Sequence, residues 1–133
     1  MTVRLSRSLH ERLTALAGAD HDVEICGLLL GGADHIERIV PAANVAPDPA
    51  RRFEIDPAIL LAAHRAMRNG GPSVIGHYHS HPNGKAEPSA CDADMALPDG
   101  QFWLIVAAGV MRLWQAGSSG LHGRFVEQQL VVD

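Results

Sequence analysis

Apolar positions fall into two rhythms along the chain. Leu9, Leu13 and Leu16 recur at helical spacing behind Ser8 and Glu11, an S-x-x-E capping box, and Gly18 follows. That pattern predicts a first helix over about residues 8–17. After a polar turn at Asp20-His21-Asp22, residues 24–30 form a short apolar run bounded by Gly31-Gly32, which reads as a buried strand. A turn at Ala33-Asp34 leads into a second extended run at 36–40. Residues 44–52 carry two prolines and no period, so they read as a loop, with a short extended piece at 53–55. Asp56 as cap and Pro57 at the first helical position open a second helix, which Gly70-Gly71 ends.

Residues 73–79 return to strand character, and 80–88, with Pro82, Gly84 and Pro88, read as a long ordered loop. Ser89 and Asp92 are placed to cap a short helix over 90–97, and Pro98-Asp99-Gly100 is a turn signal. Three strand-like runs finish the chain, at 102–108, 111–115 and 124–132. Gly109-Val110 is a tight connection between the first two, and Ser118-Ser119-Gly120 a flexible one before the third. The elements describe an α+β domain, a mixed sheet with two main helices and a short one.

Composition narrows the function classes. A chain of 133 residues, 47% hydrophobic and 20% charged, suits one globular domain spanning 1–133. Eleven basic against fifteen acidic side chains give a net charge of −4, without a basic cluster beyond Arg51-Arg52, so nucleic acid is not an expected partner. No apolar run approaches a membrane span and no signal-peptide pattern opens the chain, so a soluble protein without a membrane partner is expected. Cys26 and Cys91 are too few for a disulfide framework and form no C-x-x-C pair, which points to the reducing cytoplasm.

Chemistry concentrates in Gly76-His77-Tyr78-His79-Ser80-His81-Pro82, where three of eight histidines take alternate positions. In an extended chain such positions share a side, so imidazoles converge at the strand end. Neutral imidazole nitrogens suit zinc, and Asp92, near the start of the short helix, can fold back to supply a carboxylate. Three protein ligands with a fourth position left for water form a catalytic arrangement. His10-Glu11 is followed by Arg-Leu-Thr, which excludes H-E-x-x-H, and the zinc-deaminase pattern of a Glu two residues after the His with a downstream P-C-x-x-C is missing too.

The pattern H-x-H-P, with seven residues between the second His and a Ser, then x-x-D, is met by His79, His81, Pro82, Ser89 and Asp92, five specified positions within fourteen residues. Here the sequence resembles the JAMM, or MPN-plus, metalloproteases, which release ubiquitin, ubiquitin-like proteins and related peptides. Glu24, in Glu-Ile-Cys-Gly-Leu-Leu-Leu-Gly, also stands where that family has its Glu. The resemblance reaches from about Arg4 to Trp114, and Arg52-Phe53-Glu54-Ile55-Asp56-Pro57 is similar to the stretch opening the second helix in short bacterial members. It implies a curved mixed sheet in a three-layer α/β/α arrangement, like that of cytidine deaminases.

It also implies one zinc per chain held by His79, His81 and Asp92, with Glu24 as general acid and base on the attacking water and Ser89 supporting the oxyanion. The implied substrate is the Gly-Gly tail of a ubiquitin-like or sulfur-carrier protein, lying extended beside the strand that bears His79. Insertions with which long eukaryotic deubiquitinases grip ubiquitin are missing. The family expects no ligand at His77, which is read as a neighbour of the site or a solvent-facing strand residue. Plainer roles stand beside these: a solvated charge for Glu24, a simple capping box for Ser89 and Asp92, and core packing for Cys26, Trp103 and Trp114. A catalytically silent MPN-type scaffold and a metal-binding module without hydrolysis are the competing functions.

Overall fold

The computed structural model describes residues 1–82 and 84–133. The first helix, α1 (Arg7–Ala19), starts before the predicted cap. Ser6, in extended conformation, accepts from the Leu9 amide at 3.2 Å. Ser8 therefore lies inside the first turn, where its hydroxyl has no capping role. Strands β2 (Cys26–Gly32) and β3 (His35–Ala42) pair as an antiparallel hairpin. Helix α2 (Pro57–Arg68) opens as expected, the Asp56 carboxylate accepting from the Ala58 amide at 3.0 Å and Pro57 following in the first turn. Strand β4 (Ser73–Ser80) leads through the long loop to α3 (Ala90–Met95), two residues shorter than predicted. Among the described residues no helix is long and apolar enough to cross a membrane.

The C-terminal strands are β5 (Phe102–Ala107), β6 (Val110–Leu121) and β7 (Phe125–Val132). The turn between β5 and β6 is Ala108-Gly109, both at positive φ, one residue earlier than read from the sequence. Strand β6 runs through Ser118-Ser119-Gly120, so these residues do not form a separate connection. A register irregularity between Ala116 and Leu121 absorbs them, and the reversal comes at Leu121–Arg124.

A strand missed in the sequence alters the architecture. β1 (Thr2–Leu5) is four residues long, too short to register as a period, yet its Val3 and Leu5 are fully buried. It pairs in parallel with both β3 and β7. That closes the strands in the order β1-β3-β2-β4-β5-β6-β7, a closed barrel where a mixed curved sheet was expected.

Strand periodicity then sorts the core into two faces. Leu29, Tyr78, Phe102, Leu104 and Leu113 pack with Leu9, Leu13 and Leu16 of α1. Their alternating neighbours Leu28, Leu30, Trp103 and Ile105 pack with Ile59, Leu60 and Ala63 of α2 and Ala93 of α3. Every strand contributes to the α1 cluster, so the sheet curls around that helix, leaving α2 and α3 on the opposite face.

Candidate metal centre

Strand β4 lies between β2, antiparallel, and β5, parallel. A parallel neighbour requires a crossover, and the segment 81–101 that makes it carries His81, Ser89 and Asp92. His79 pairs with Cys26 on one side and Ile105 on the other. It points to the α2 face, where its ring stacks on Phe53 with centroids 4.2 Å apart and 20° between planes. His81 follows the end of β4, its amide donating to the Val106 carbonyl at 2.9 Å. Its Nδ1–H donates to the Lys85 carbonyl at 2.7 Å, so in the neutral ring the Nε2 lone pair is aimed inward, while in the protonated ring Nε2–H donates to Asp92. The loop that supplies this carbonyl is held in turn by Trp114, whose indole N–H donates to the Ala86 carbonyl at 3.0 Å.

Ser89 and Asp92 form the predicted capping box. The Ser89 hydroxyl oxygen accepts from the Asp92 amide at 3.0 Å, and Asp92 Oδ2 accepts from the Ser89 amide at 3.0 Å. The same Oδ2 lies 3.2 Å from Nε2 of His79 and 3.2 Å from Nε2 of His81, and those two nitrogens are 3.0 Å apart. One ligand atom from each of Glu24, His79, His81 and Asp92 falls within 4.8 Å of all the others, and all four residues are buried.

Tetrahedral zinc with bonds of about 2.0–2.1 Å needs donor atoms roughly 3.3 Å apart. The His79, His81 and Asp92 triangle fits that edge, and its two imidazole nitrogens and one carboxylate oxygen are a donor set zinc accepts. A divalent metal therefore fits the residues present.

Electrostatics follow from burial and close contact. Burial disfavours ionised Asp92, yet hydrogen bonds from His79, His81 and the Ser89 amide outweigh it and hold the carboxyl well below its usual range. Burial drives His79 down. It opposes protonation of His81 as well, but there the bonds to Asp92 and the Lys85 carbonyl prevail and raise it. Glu24, 4% exposed, is pushed up to about 7, chiefly by burial and further by the Asp92 charge, against a lowering from His81. Its Oε1 has no hydrogen-bond partner among the described residues.

His77 stays out of the cluster. Its ring is half-buried edge-on to Trp103, with centroids 4.3 Å apart, and 6.4 Å from the ring of His79. It is thus neither among the grouped ligand atoms nor solvent-facing. Cys26 and Cys91 are free thiols, the first buried as expected. Trp103 and Trp114 are core residues. The expectation of a tail beside β4 meets an obstacle, because β4 is hydrogen-bonded on both edges. A cleft of about 250 Å³ lined by Glu24, Ala50, Arg51, His81, Pro82 and Ser89 opens instead beyond the strand's end. Phe53 and the Trp114 indole were not singled out for the site from sequence, although the run Arg52-Phe53-Glu54 was the available signal for the first.

A family model described as prokaryotic homologs of the JAB domain matches residues 6–117. The chain belongs to this family. Among curated relatives, a desampylase from Haloferax volcanii is 35% identical over 91 residues, 67% of this chain and 66% of that protein. A probable TtuB-protein conjugate cleaving protease from Thermus thermophilus is 42% identical over 64 residues, 48% of this chain and 43% of its own length. The chain thus spans about two thirds and under half of these two relatives. A solution structure of a Desulfitobacterium hafniense protein superposes with a TM-score of 0.82 at 28% identity, covering 99% of this chain and 93% of that one. A crystal structure of a JAB1/MPN domain protein from Archaeoglobus fulgidus, at 21% identity and a TM-score of 0.61 over 98% of both chains, shares the JAB fold.

Proposed function

We propose that residues 1–133 form one zinc-dependent metallopeptidase domain that hydrolyses peptide or isopeptide bonds at the Gly-Gly tail of a ubiquitin-like or sulfur-carrier protein. The observation carrying this reading is the buried convergence of His79, His81 and Asp92 at mutual distances of 3.0–3.2 Å with the Glu24 carboxylate beside them. In this reading the three hold one zinc per chain. Zinc there supplies Lewis acidity, polarising a carbonyl and acidifying water. Glu24 takes the proton of the attacking water and returns it to the leaving amine, a task suited to a carboxyl near 7. Ser89, its oxygen already accepting from the Asp92 amide, directs its hydroxyl proton to the developing oxyanion. Water attack on the amide carbon forms the new C–O bond, and the C–N bond breaks as nitrogen receives the proton.

The conjugate-cleaving name of the Thermus relative supports the substrate class. A glycine tail suits a cleft with Ala50 and Pro82 among its lining residues, since backbone without Cβ approaches closely. Because β4 offers no free edge, the tail enters from the strand's end. Two free thiols fit the reducing cytoplasm.

Incubating the protein with a sulfur-carrier protein extended beyond Gly-Gly, and weighing the products, tests the reading. Cleavage after the second Gly, abolished by chelation and restored by zinc, is expected, with one zinc per chain in gently purified protein. Cleavage surviving the combined His79→Ala and His81→Ala change, or zinc bound without any hydrolysis, would refute it. The second of these outcomes would leave a metal-binding module.

A further inference from the structure

The proposed proton carrier, Glu24, stands two residues before β2 begins at Cys26, outside the regular ladder. With Oε1 unpartnered among the described residues, the carboxylate's place must be set largely through its main chain. The Glu24 amide donates to the Pro49 carbonyl at 2.8 Å, and the Glu24 carbonyl accepts from Asn44 Nδ2 at 2.9 Å. Nδ2 of Asn44 also donates to the Arg52 carbonyl at 3.0 Å and more weakly to that of Pro49 at 3.4 Å. Asn44 Oδ1 accepts from the amides of Ala46 at 3.0 Å and Glu54 at 3.1 Å. Both halves of one half-buried amide are in use, a combination of donors and acceptor that Asp and Ser lack. The loop organised this way brings Ala50 and Arg51 to the cleft and Phe53 onto the ring of His79.

We infer that Asn44 is a positioning residue that fixes the main chain of Glu24 against the metal cluster. The inference rests on the peptidase reading for its kinetic consequence, not for its geometry.

The test compares wild type, Asn44→Ala and Asn44→Asp in the full chain, with the extended sulfur-carrier protein as substrate. Asn44→Ala should keep one zinc per chain and lower kcat on the order of 10- to 100-fold, the scale of a small misplacement. Combined with Glu24→Gln it should change the residual kcat by less than about twofold, because the group it positions is already disabled. An equal proportional loss in both backgrounds, or an unchanged kcat in Asn44→Ala, would overturn the inference.

Amide hydrogen exchange supplies a readout without substrate. The amides of Glu24, Ala46 and Glu54 should exchange at least about tenfold faster in Asn44→Ala, with Leu104 and Ile105 in β5 unchanged. Unchanged rates at those three positions would also overturn it. If Asn44→Ala does not fold, Asn44→Asp decides. It keeps the acceptor, so Ala46 and Glu54 should stay protected while kcat falls, and a retained kcat would refute the role. A wild type without hydrolysis refutes the peptidase reading alone, and the exchange rates then judge Asn44.

Discussion

Replacing Glu24 by Gln should shift the stability of the metal-free protein in the variant's favour relative to wild type as the pH rises. Burial lifts this carboxyl from 4.5 to about 7. Below pH 4.5 the folded and unfolded chains both hold the proton, and the folded state loses nothing. Between 4.5 and about 7 the unfolded chain has released it while the folded one retains it, so stability falls as pH rises through that window. Above 7 the penalty is complete, about 3 kcal/mol for such a shift. Gln abolishes the titration. Its own amide, short of partners in the same pocket, lowers stability by a similar amount at every pH and so leaves the slope alone.

Urea unfolding of both proteins in excess chelator between pH 5 and 8 should therefore show the difference widening by roughly 2–3 kcal/mol in favour of Glu24→Gln. Asp92, His79 and His81 titrate in both proteins and largely cancel in the comparison. With zinc restored, the same variant should hold metal but lose turnover by on the order of 10²- to 10⁴-fold. Parallel stability profiles would refute the claim that burial raises Glu24, and with it the reason this carboxylate suits proton transfer near neutral pH.

Ser89→Ala should keep zinc, lower kcat about 10²-fold as a lost oxyanion donor does, and destabilise α3 by about 1 kcal/mol through the lost cap. A kcat within twofold of wild type would leave only the cap. His77→Ala should retain a full zinc complement by metal analysis while losing on the order of 1–3 kcal/mol of packing against Trp103 in urea. Zinc loss in that variant would move the ligand set. Gly27→Ala should destabilise the fold by roughly 1–3 kcal/mol, because a Cβ there meets the Tyr78 ring on the paired strand. An unchanged melting temperature would show that Tyr78 moves aside freely.

The long helices and the central strands were legible because each carries its own signal: Asp56-Pro57 at the start of α2, and the apolar run around Cys26-Gly27-Leu28 in β2. Closure of the sheet was not, since it depends on Val3 and Leu5, two side chains in a four-residue strand whose burial only its partners β3 and β7 reveal. The helix start at Ser6 was hidden by a rival S-x-x-E pattern at Ser8 and Glu11. Spacing brought His79, His81, Ser89 and Asp92 into view together. Asn44 was lost in a loop without period, because its importance lies in bonds to Glu24, Arg52 and Glu54 that no local pattern announces. The course of a substrate tail was misjudged for a related reason: strand character at His79 says nothing of whether both edges of that strand are taken.

A capping box and a ligand set need not compete for Ser89 and Asp92, because the capping geometry leaves Asp92 facing both imidazoles. Asp92 Oδ2 is aimed at both imidazoles while the Ser89 amide fixes its position from the other side. In exchange, the Asp92 amide occupies a lone pair of the Ser89 hydroxyl. A hydroxyl so engaged has its proton left to donate, and it lines the cleft that also contains Glu24 and His81. Helix initiation thus sets the direction of a side chain that the chemistry would otherwise have to orient at the moment of reaction. The economy has a consequence for variation at this site. In the proposed reading, substitutions of Asp92 disturb the start of α3 together with the ligand set, which couples folding to metal binding there, whereas the Glu24 side chain caps no helix and acts on stability through the burial of its charge.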